Sequence, residues 1–173
     1  MRRSILTEKI ARRGRHILQE YTVDPLDLLQ AAQIMTAHPR TLPGTLTVAE
    51  TLIFFTTEAE HRSYPVVDSE GRLIGLVSRT DALRRQVDQS IVQTTLEDAI
   101  SDAAQPVAYP DTPSGVVADL IIETGIGRIP IVERETHRVV GILSRQDLLK
   151  ARSAHRHAET GRDRFVGRKP PAS

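Results

Sequence analysis

The chain has 173 residues, 39% of them hydrophobic, and no cysteine. That is enough for one compact body or two small packed units; it excludes a disulfide framework or thiolate metal site and suits a reducing compartment, and with no apolar run of about 18 residues nothing in it is expected to span a membrane. The net charge of +1 conceals a segregation: residues 1–16 hold six Lys/Arg and one acid, residues 150–173 hold seven against two, and the stretch between carries ten basic and nineteen acidic side chains, a net of about minus nine that would repel a nucleic-acid backbone.

Residues 4–19 are a helix candidate, with Ser4 as N-cap and Ile5, Leu6, Ile10, Ile17 and Leu18 as apolar positions. Arg12, Arg13 and Arg15 cluster at Gly14, which stops or bends it, and this Arg-rich start lacks the apolar core of a signal peptide. Asp24-Pro25 reads as an N-cap followed by Pro at the first helical position, with Leu26, Leu29, Ala32 and Ile34 carrying a short helix into Met35. Residues 37–45, with Pro39, Pro43 and Gly44, are extended. Thr47 caps a helix to about Ala59 that places Val48, Leu52, Phe55 and Ala59 on one face. Strands at 66–68 and 72–77 form a hairpin across Ser69-Glu70-Gly71, and Ser78 opens a helix to Val87.

A polar linker at 88–94 follows, and the order then repeats. A short helix spans 96–104, 105–111 is extended, and Thr112-Pro113 starts a helix to Glu123. A strand begins at Ile129, a hairpin turns near Thr136, and Ser144 opens a helix ending at Ala151. Beyond it, His155, His157, Arg162 and Gly167-Arg168-Lys169-Pro170-Pro171 show no periodicity and are predicted to be a disordered tail.

The repetition extends to individual residues. Gly75-Leu76-Val77-Ser78-Arg79-Thr80-Asp81 returns as Gly141-Ile142-Leu143-Ser144-Arg145-Gln146-Asp147, Tyr64-Pro65-Val66-Val67-Asp68 as Ile129-Pro130-Ile131-Val132-Glu133, and Thr47 as Thr112. The offset is 65 residues through Val67 and 66 from Gly75 on, so the second hairpin turn is one residue longer and a whole unit has been duplicated. In each copy an apolar strand runs into Ser-x-x-Asp at a helix start. That spacing makes a capping box, in which Ser accepts from the N–H three residues on and the acid reaches back, worth about 1 kcal/mol. It also suits a nucleotide, since free amides, a hydroxyl and the helix dipole favour phosphate while a carboxylate can accept ribose hydroxyls. Both uses can hold at once.

This paired pattern resembles the cystathionine-β-synthase (CBS) domain, whose unit runs strand, helix, strand, strand, helix, with Pro at the second strand and Gly, two apolar residues and [Ser/Thr]-x-x-Asp ending the third. Such units occur in tandem as Bateman modules. The resemblance covers residues 35–151 and implies an α/β (α+β) fold of two β-α-β-β-α units in a pseudo-two-fold pair. Connector and lead-in helices would occupy 1–34, the first unit 35–87, the linker 88–94, the second unit 95–151 and the tail 152–173.

In that family each site is built across the halves. Carried over, the resemblance implies a first site joining Ser144, Gln146 and Asp147 to Thr41, His61, Arg62 and Tyr64, and a second joining Ser78 and Asp81 to Val107, Gly127, Arg128 and Ile129. The implied ligand is an adenine nucleotide, ATP, ADP or AMP, acting as a regulator and not as a required cofactor. His61 stands where ATP-binding relatives stack an aromatic ring on adenine, and Gln146 where some carry Lys. The only lysines are Lys9, Lys150 and Lys169, so phosphate would rely on Arg79, Arg128, Arg145 and amides.

No catalytic constellation is present: there is no Cys nucleophile, neither Ser-x-x-Asp has a nearby His in sequence, the phosphate-loop pattern is absent, and no metal site is expected. The chain reads as a binding module. Its run from Ser4 to His16 is similar to the connector after the last membrane helix of bacterial CLC-type chloride channels and transporters, and its basic residues fit the positive-inside rule. That similarity implies a regulatory module at the cytoplasmic face of the cell membrane, partnered by a membrane-embedded transport domain of the same polypeptide, pairing as a homodimer through helix faces and binding no nucleic acid. The alternatives are a structural dimerisation module with empty clefts, which the His61 and Gln146 departures support, and a nucleotide sensor attached to an enzyme or free-standing.

Overall fold

Asp24 opens the described chain by accepting the Leu26 amide at 3.1 Å, which caps a 3-10 turn over Pro25–Leu28. The computed structural model describes residues 24–86, 93–100 and 105–166, so the predicted helix at 4–19 and most of the linker at 88–94 fall outside it. After the turn come α1 (Ala31–Ile34), β1 (Thr36–Ala37), β2 (Leu42–Pro43), α2 (Val48–Thr57), β3 (Ser63–Val67), β4 (Leu73–Ser78) and α3 (Arg79–Gln86). The second half supplies α4 (Leu96–Ala99), α5 (Ser114–Thr124), β5 (Arg128–Val132), β6 (Val139–Ser144) and α6 (Arg145–Val166). The lead-in helix expected to run unbroken to Ile34 is interrupted at Leu29 and Gln30, both extended, because Ser114 N–H donates to the Leu29 carbonyl at 2.7 Å and Gln30 bridges to Pro113.

Two three-stranded sheets result, ordered β2-β3-β4 and β1-β6-β5. The β3–β4 and β5–β6 hairpins are antiparallel and in equivalent register, Tyr64 opposite Val77 and Ile129 opposite Leu143. β2 lies parallel to β3, whereas β1, from the first half of the sequence, pairs with β6 of the second. The hairpins also meet each other, with Leu73 N–H donating to the His137 carbonyl and Val139 N–H to that of Gly71, both at 3.1 Å. The α/β architecture of two paired units is as expected from the repeat.

The lead-in helices are exchanged between the halves. Leu26 and Ala31 belong to the hydrophobic core around Val117, Ile121, Ile129, Ile131 and Leu143, while Leu96 belongs to the core around Leu42, Phe54, Phe55, Tyr64 and Val66. Backbone bonds fix the exchange: Ala31 N–H donates to the Thr112 carbonyl at 2.8 Å, and Leu96 N–H to that of Leu46 at 2.7 Å. The lead-in at 96–99, expected to belong to the second unit, therefore packs with the first. The lead-in before residue 35, expected to lie outside both units, packs with the second, each covering the open end of the other unit's core.

The motif glycines make room for this exchange. A Cβ on Gly75 would stand 2.8 Å from Ile100 Cγ2, and one on Gly141 would collide with the Met35 thioether, its Cγ 3.0 Å away. Met35 and Ile100 are themselves equivalent under the 65-residue offset, so each strand glycine seats the residue that closes the opposite unit's lead-in.

α6 corrects the sequence-based expectation of disorder beyond Ala151, since the helix continues to Val166. From Arg145 to Ala158 it contains neither Gly nor Pro and is rich in Ala, Leu, Lys and Arg, the strong helix formers. Arg152 also pairs with Asp24. Absent apolar periodicity meant that these later turns lack a core to pack on, and not that the backbone leaves the helix. Residues 167–173 of the predicted tail lie outside the described residues.

Candidate functional site

Both Ser-x-x-Asp motifs close as capping boxes. Ser78 Oγ donates to Asp81 Oδ2 at 2.5 Å and Ser144 Oγ to Asp147 Oδ2 at 2.6 Å; the aspartate amides return bonds to the serine oxygens at 3.1 and 3.3 Å. Each hydroxyl is thus held by a carboxylate and not by a histidine. The helix after each box is pinned in an equivalent way, Arg79 N–H to the Arg62 carbonyl at 3.0 Å and Arg145 N–H to that of Gly127 at 3.1 Å.

A cleft of about 570 Å³ brings Ser144, Gln146 and Asp147 of the second unit together with His61 and Tyr64 of the first, as the first predicted site required. Tyr64 forms its floor: the side chain is buried, its hydroxyl accepts the amides of Glu60 and His61 at 2.9 and 3.0 Å, and its ring stands edge-on to Phe54 at 5.0 Å. The exposed His61 ring lies 5.9 Å from it, tilted by 38°. Two predicted members are elsewhere. Thr41 leads into β2 and does not line the cleft, which the chain crosses at His38 and Arg40 after β1 departs for the other sheet. Arg62 is held by its carbonyl against the start of α3 and lines a neighbouring cavity.

Sequence reasoning missed Thr36, His38, Arg40 and Lys150 as lining residues. Lys150 was legible, since it follows Asp147 by three and Gln146 by four positions and so shares their helix face. His38 adopts a left-handed backbone (φ 50°), a conformation that non-glycine residues seldom take and that only the crossing to β6 explains. Arg40 is paired with Glu58 at 2.6 Å and lies over the Phe54 ring, whereas Lys150 and Arg128 have no ion-pair partner among the described residues. Arg145, expected at the phosphate, instead lines a separate cavity with Asp24, Asp27 and Asp119.

The second cleft, about 480 Å³, contains Ser78, Asp81 and Gly127 but not the other predicted members. Ile129 is fully buried in the second unit's core, Arg128 lines the first cleft, and Val107 is displaced from the wall by Gln105, because the next residue, Ala108, bridges to Ile131. Its walls are largely apolar, with Leu76, Leu96, Ile100 and Ile126, and Arg85, the one cation lining it among the described residues, donates to the Ala99 carbonyl. Where the first cleft has His61, this one has Ile126.

The CBS domain family matches residues 31–88 and 97–154, the two copies just described. This chain belongs to the CBS domain family. Its fold is shared with CBSX2 from Arabidopsis thaliana, solved in complex with AMP, at a TM-score of 0.62 and 23% identity over 73% of this chain and 98% of that one. It is shared likewise with the CBS domain pair of protein MJ0100, solved with 5'-methylthioadenosine and S-adenosyl-L-methionine, at 0.59 and 22% over 73% and 98%. Rip3 of Mycobacterium tuberculosis, named as a zinc metalloprotease, is 30% identical over 138 residues, 76% of this chain and 33% of that protein. The pair spans less than half the length of the curated relatives it matches.

Proposed function

We propose that this CBS pair is a regulatory module that binds an adenine nucleotide in the first cleft. The observation that carries the reading is the meeting, across the two units, of Asp147 and Ser144 with the His61–Tyr64 pair in one cleft that also holds Lys150 and Arg128, two cations without ion-pair partners among the described residues. Asp147 would accept from the ribose hydroxyls, Ser144 and the cations would meet phosphate, and the His61 edge would flank the base. The AMP, methylthioadenosine and S-adenosylmethionine complexes of the fold relatives support the same ligand class. Because both units contribute, a ligand there favours whichever arrangement of the pair binds it better and shifts that equilibrium. Each serine hydroxyl is engaged by the aspartate of its own helix cap, and no histidine is bonded to it among the described residues, which supports a binding role over a catalytic one. Calorimetry with AMP, ADP, ATP and S-adenosylmethionine is the test; micromolar binding that Asp147→Ala weakens at least tenfold is expected, and silence from all four with the fold intact overturns the proposal.

In this proposal the regulated partner is a CLC-type transport domain of the same polypeptide, which puts the module at the cytoplasmic face of the membrane. Its support is the connector-like run Ser4 to His16, outside the described residues. Among the described residues no helix is long and apolar enough to cross a membrane. Coding sequence upstream of Met1 that contains no membrane-spanning segments would overturn it in favour of a sensor on another protein. The modules would pair as a homodimer through the helix faces that expose Ile53 and Leu83 on one unit and Ile122 and Leu149 on the other, Leu83 and Leu149 being equivalent positions. Sedimentation of a monomer at high concentration would remove that part.

A further inference from the structure

A third cavity, of about 560 Å³, joins the two clefts. It shares Ser63 and Arg128 with the first and Ser63, Ser78 and Gly127 with the second. Arg62, Arg79 and Arg128 all line it, no carboxylate does, and none of the three has an ion-pair partner among the described residues. Other arginines without an ion pair among the described residues, Arg84, Arg85, Arg138 and Arg145, do not line this cavity, so what sets the place apart is that three such side chains meet with no acid among its lining residues. Three arginines and no acid among its lining residues give this cavity a positive charge that an anion would offset through charge-assisted hydrogen bonds.

The duplication does not double this feature. Arg62 is matched by Gly127, Arg128 by Ser63, and Arg79 by Arg145, which lines the cavity of Asp24, Asp27 and Asp119 instead. The arginine set is therefore assembled once per chain from both units, whereas the Ser-x-x-Asp pair occurs twice.

We infer that this cavity is a single phosphate seat serving both clefts, so that only one of them at a time holds a phosphorylated ligand. The inference rests on the adenine-nucleotide reading above. A phosphate monoester carries roughly 1.5 to 2 negative charges at neutral pH. One is exceeded in charge by three arginines, while two would set about three to four negative charges against three positive ones and repel each other in the same space. A nucleotide in the first cleft reaches the seat past Arg128, and one in the second past Ser78. When the first is seated, the second cleft, with its apolar walls and its Arg85 already engaged, is left to a nucleoside without phosphate.

Calorimetry on the full chain with AMP and inorganic pyrophosphate tests the seat. AMP is expected to saturate at one per chain, and pyrophosphate to bind once and compete with it. In an Arg62→Ala/Arg79→Ala variant, with folding checked by circular dichroism, pyrophosphate affinity should fall at least tenfold. Two equal and independent AMP sites per chain, or pyrophosphate affinity unchanged in that variant, overturns the shared seat and leaves the nucleotide reading standing. Arginine-dependent pyrophosphate binding without any AMP binding does the reverse, keeping the anion seat and removing the nucleotide.

Discussion

Ser144 and Asp147 satisfy each other through one carboxylate oxygen. Asp147 Oδ2 accepts both the Ser144 amide at 2.9 Å and the Ser144 hydroxyl at 2.6 Å, while Oδ1 accepts no bond among the described residues. One half of the carboxylate secures the helix start and the other is left over at the cleft. Asp147→Ala should therefore lower stability by about 1 kcal/mol, the usual worth of such a cap, and also weaken AMP binding at least tenfold. Asp147→Asn keeps an acceptor for Ser144 and loses the charge, so its melting temperature should stay nearer the parent while affinity still falls. Thermal melts read the first effect and calorimetry the second.

Lys150 is an exposed cation on the cleft side of α6 and contacts no acid among the described residues. Lys150→Ala should change stability by less than about 0.5 kcal/mol, as for surface positions generally, yet weaken AMP several-fold and leave adenosine unaffected. Equal losses for AMP and adenosine would mean that the lysine does not face phosphate.

Leu96, 1% exposed, sits in the first unit's core although it follows that unit in sequence. Leu96→Ala should cost about 2–5 kcal/mol, as for other buried leucines. The loss should open the first unit preferentially, so amide exchange should accelerate in β3 and β4 more than in β5 and β6. The opposite pattern would contradict the exchange of lead-in helices.

Gly141 has no space for a methyl group because Met35 lies against it. Gly141→Ala should cost about 1–3 kcal/mol from overpacking. Adding Met35→Ala should return part of that loss, and a double-mutant cycle with no coupling would separate the two residues.

Among the described residues three carboxyls have depressed pKa values: Asp24 through its bond from Arg152, Asp68 through that from Arg72, and Glu50 through the Thr47 amide. A group whose folded pKa lies below its unfolded value contributes stability that is present above the unfolded value, near pH 4, and is lost as pH falls through the folded one. Denaturant titrations at pH 6, 4 and 3 should show stability falling over that window. Asp24→Asn should lose stability at pH 6, and its gap from the parent should shrink as pH falls to 3; a constant gap at all three values would show that the ion pair is not the source.

What the residues determined unaided was whatever closes over three or four positions. Thr47 with Glu50, Ser78 with Asp81 and Ser144 with Asp147 are capping boxes in the fold as in the sequence, and the hairpins turn where Gly71 and Thr136 put them. That a cleft would join Asp147 to the start of β3 was implied by the resemblance to the CBS family and not by the duplication itself. Partner choice across a hundred residues was a matter for tertiary structure alone. Local pattern shows that Leu96 and Ala31 are buried but not in which core, and that depends on which open sheet end each short helix can cover. The crossing of β1 to β6 then decided that His38 and Arg40, and not Thr41, line the first cleft, and the bond from the α3 start to the Arg62 carbonyl put Arg62 at the arginine cavity.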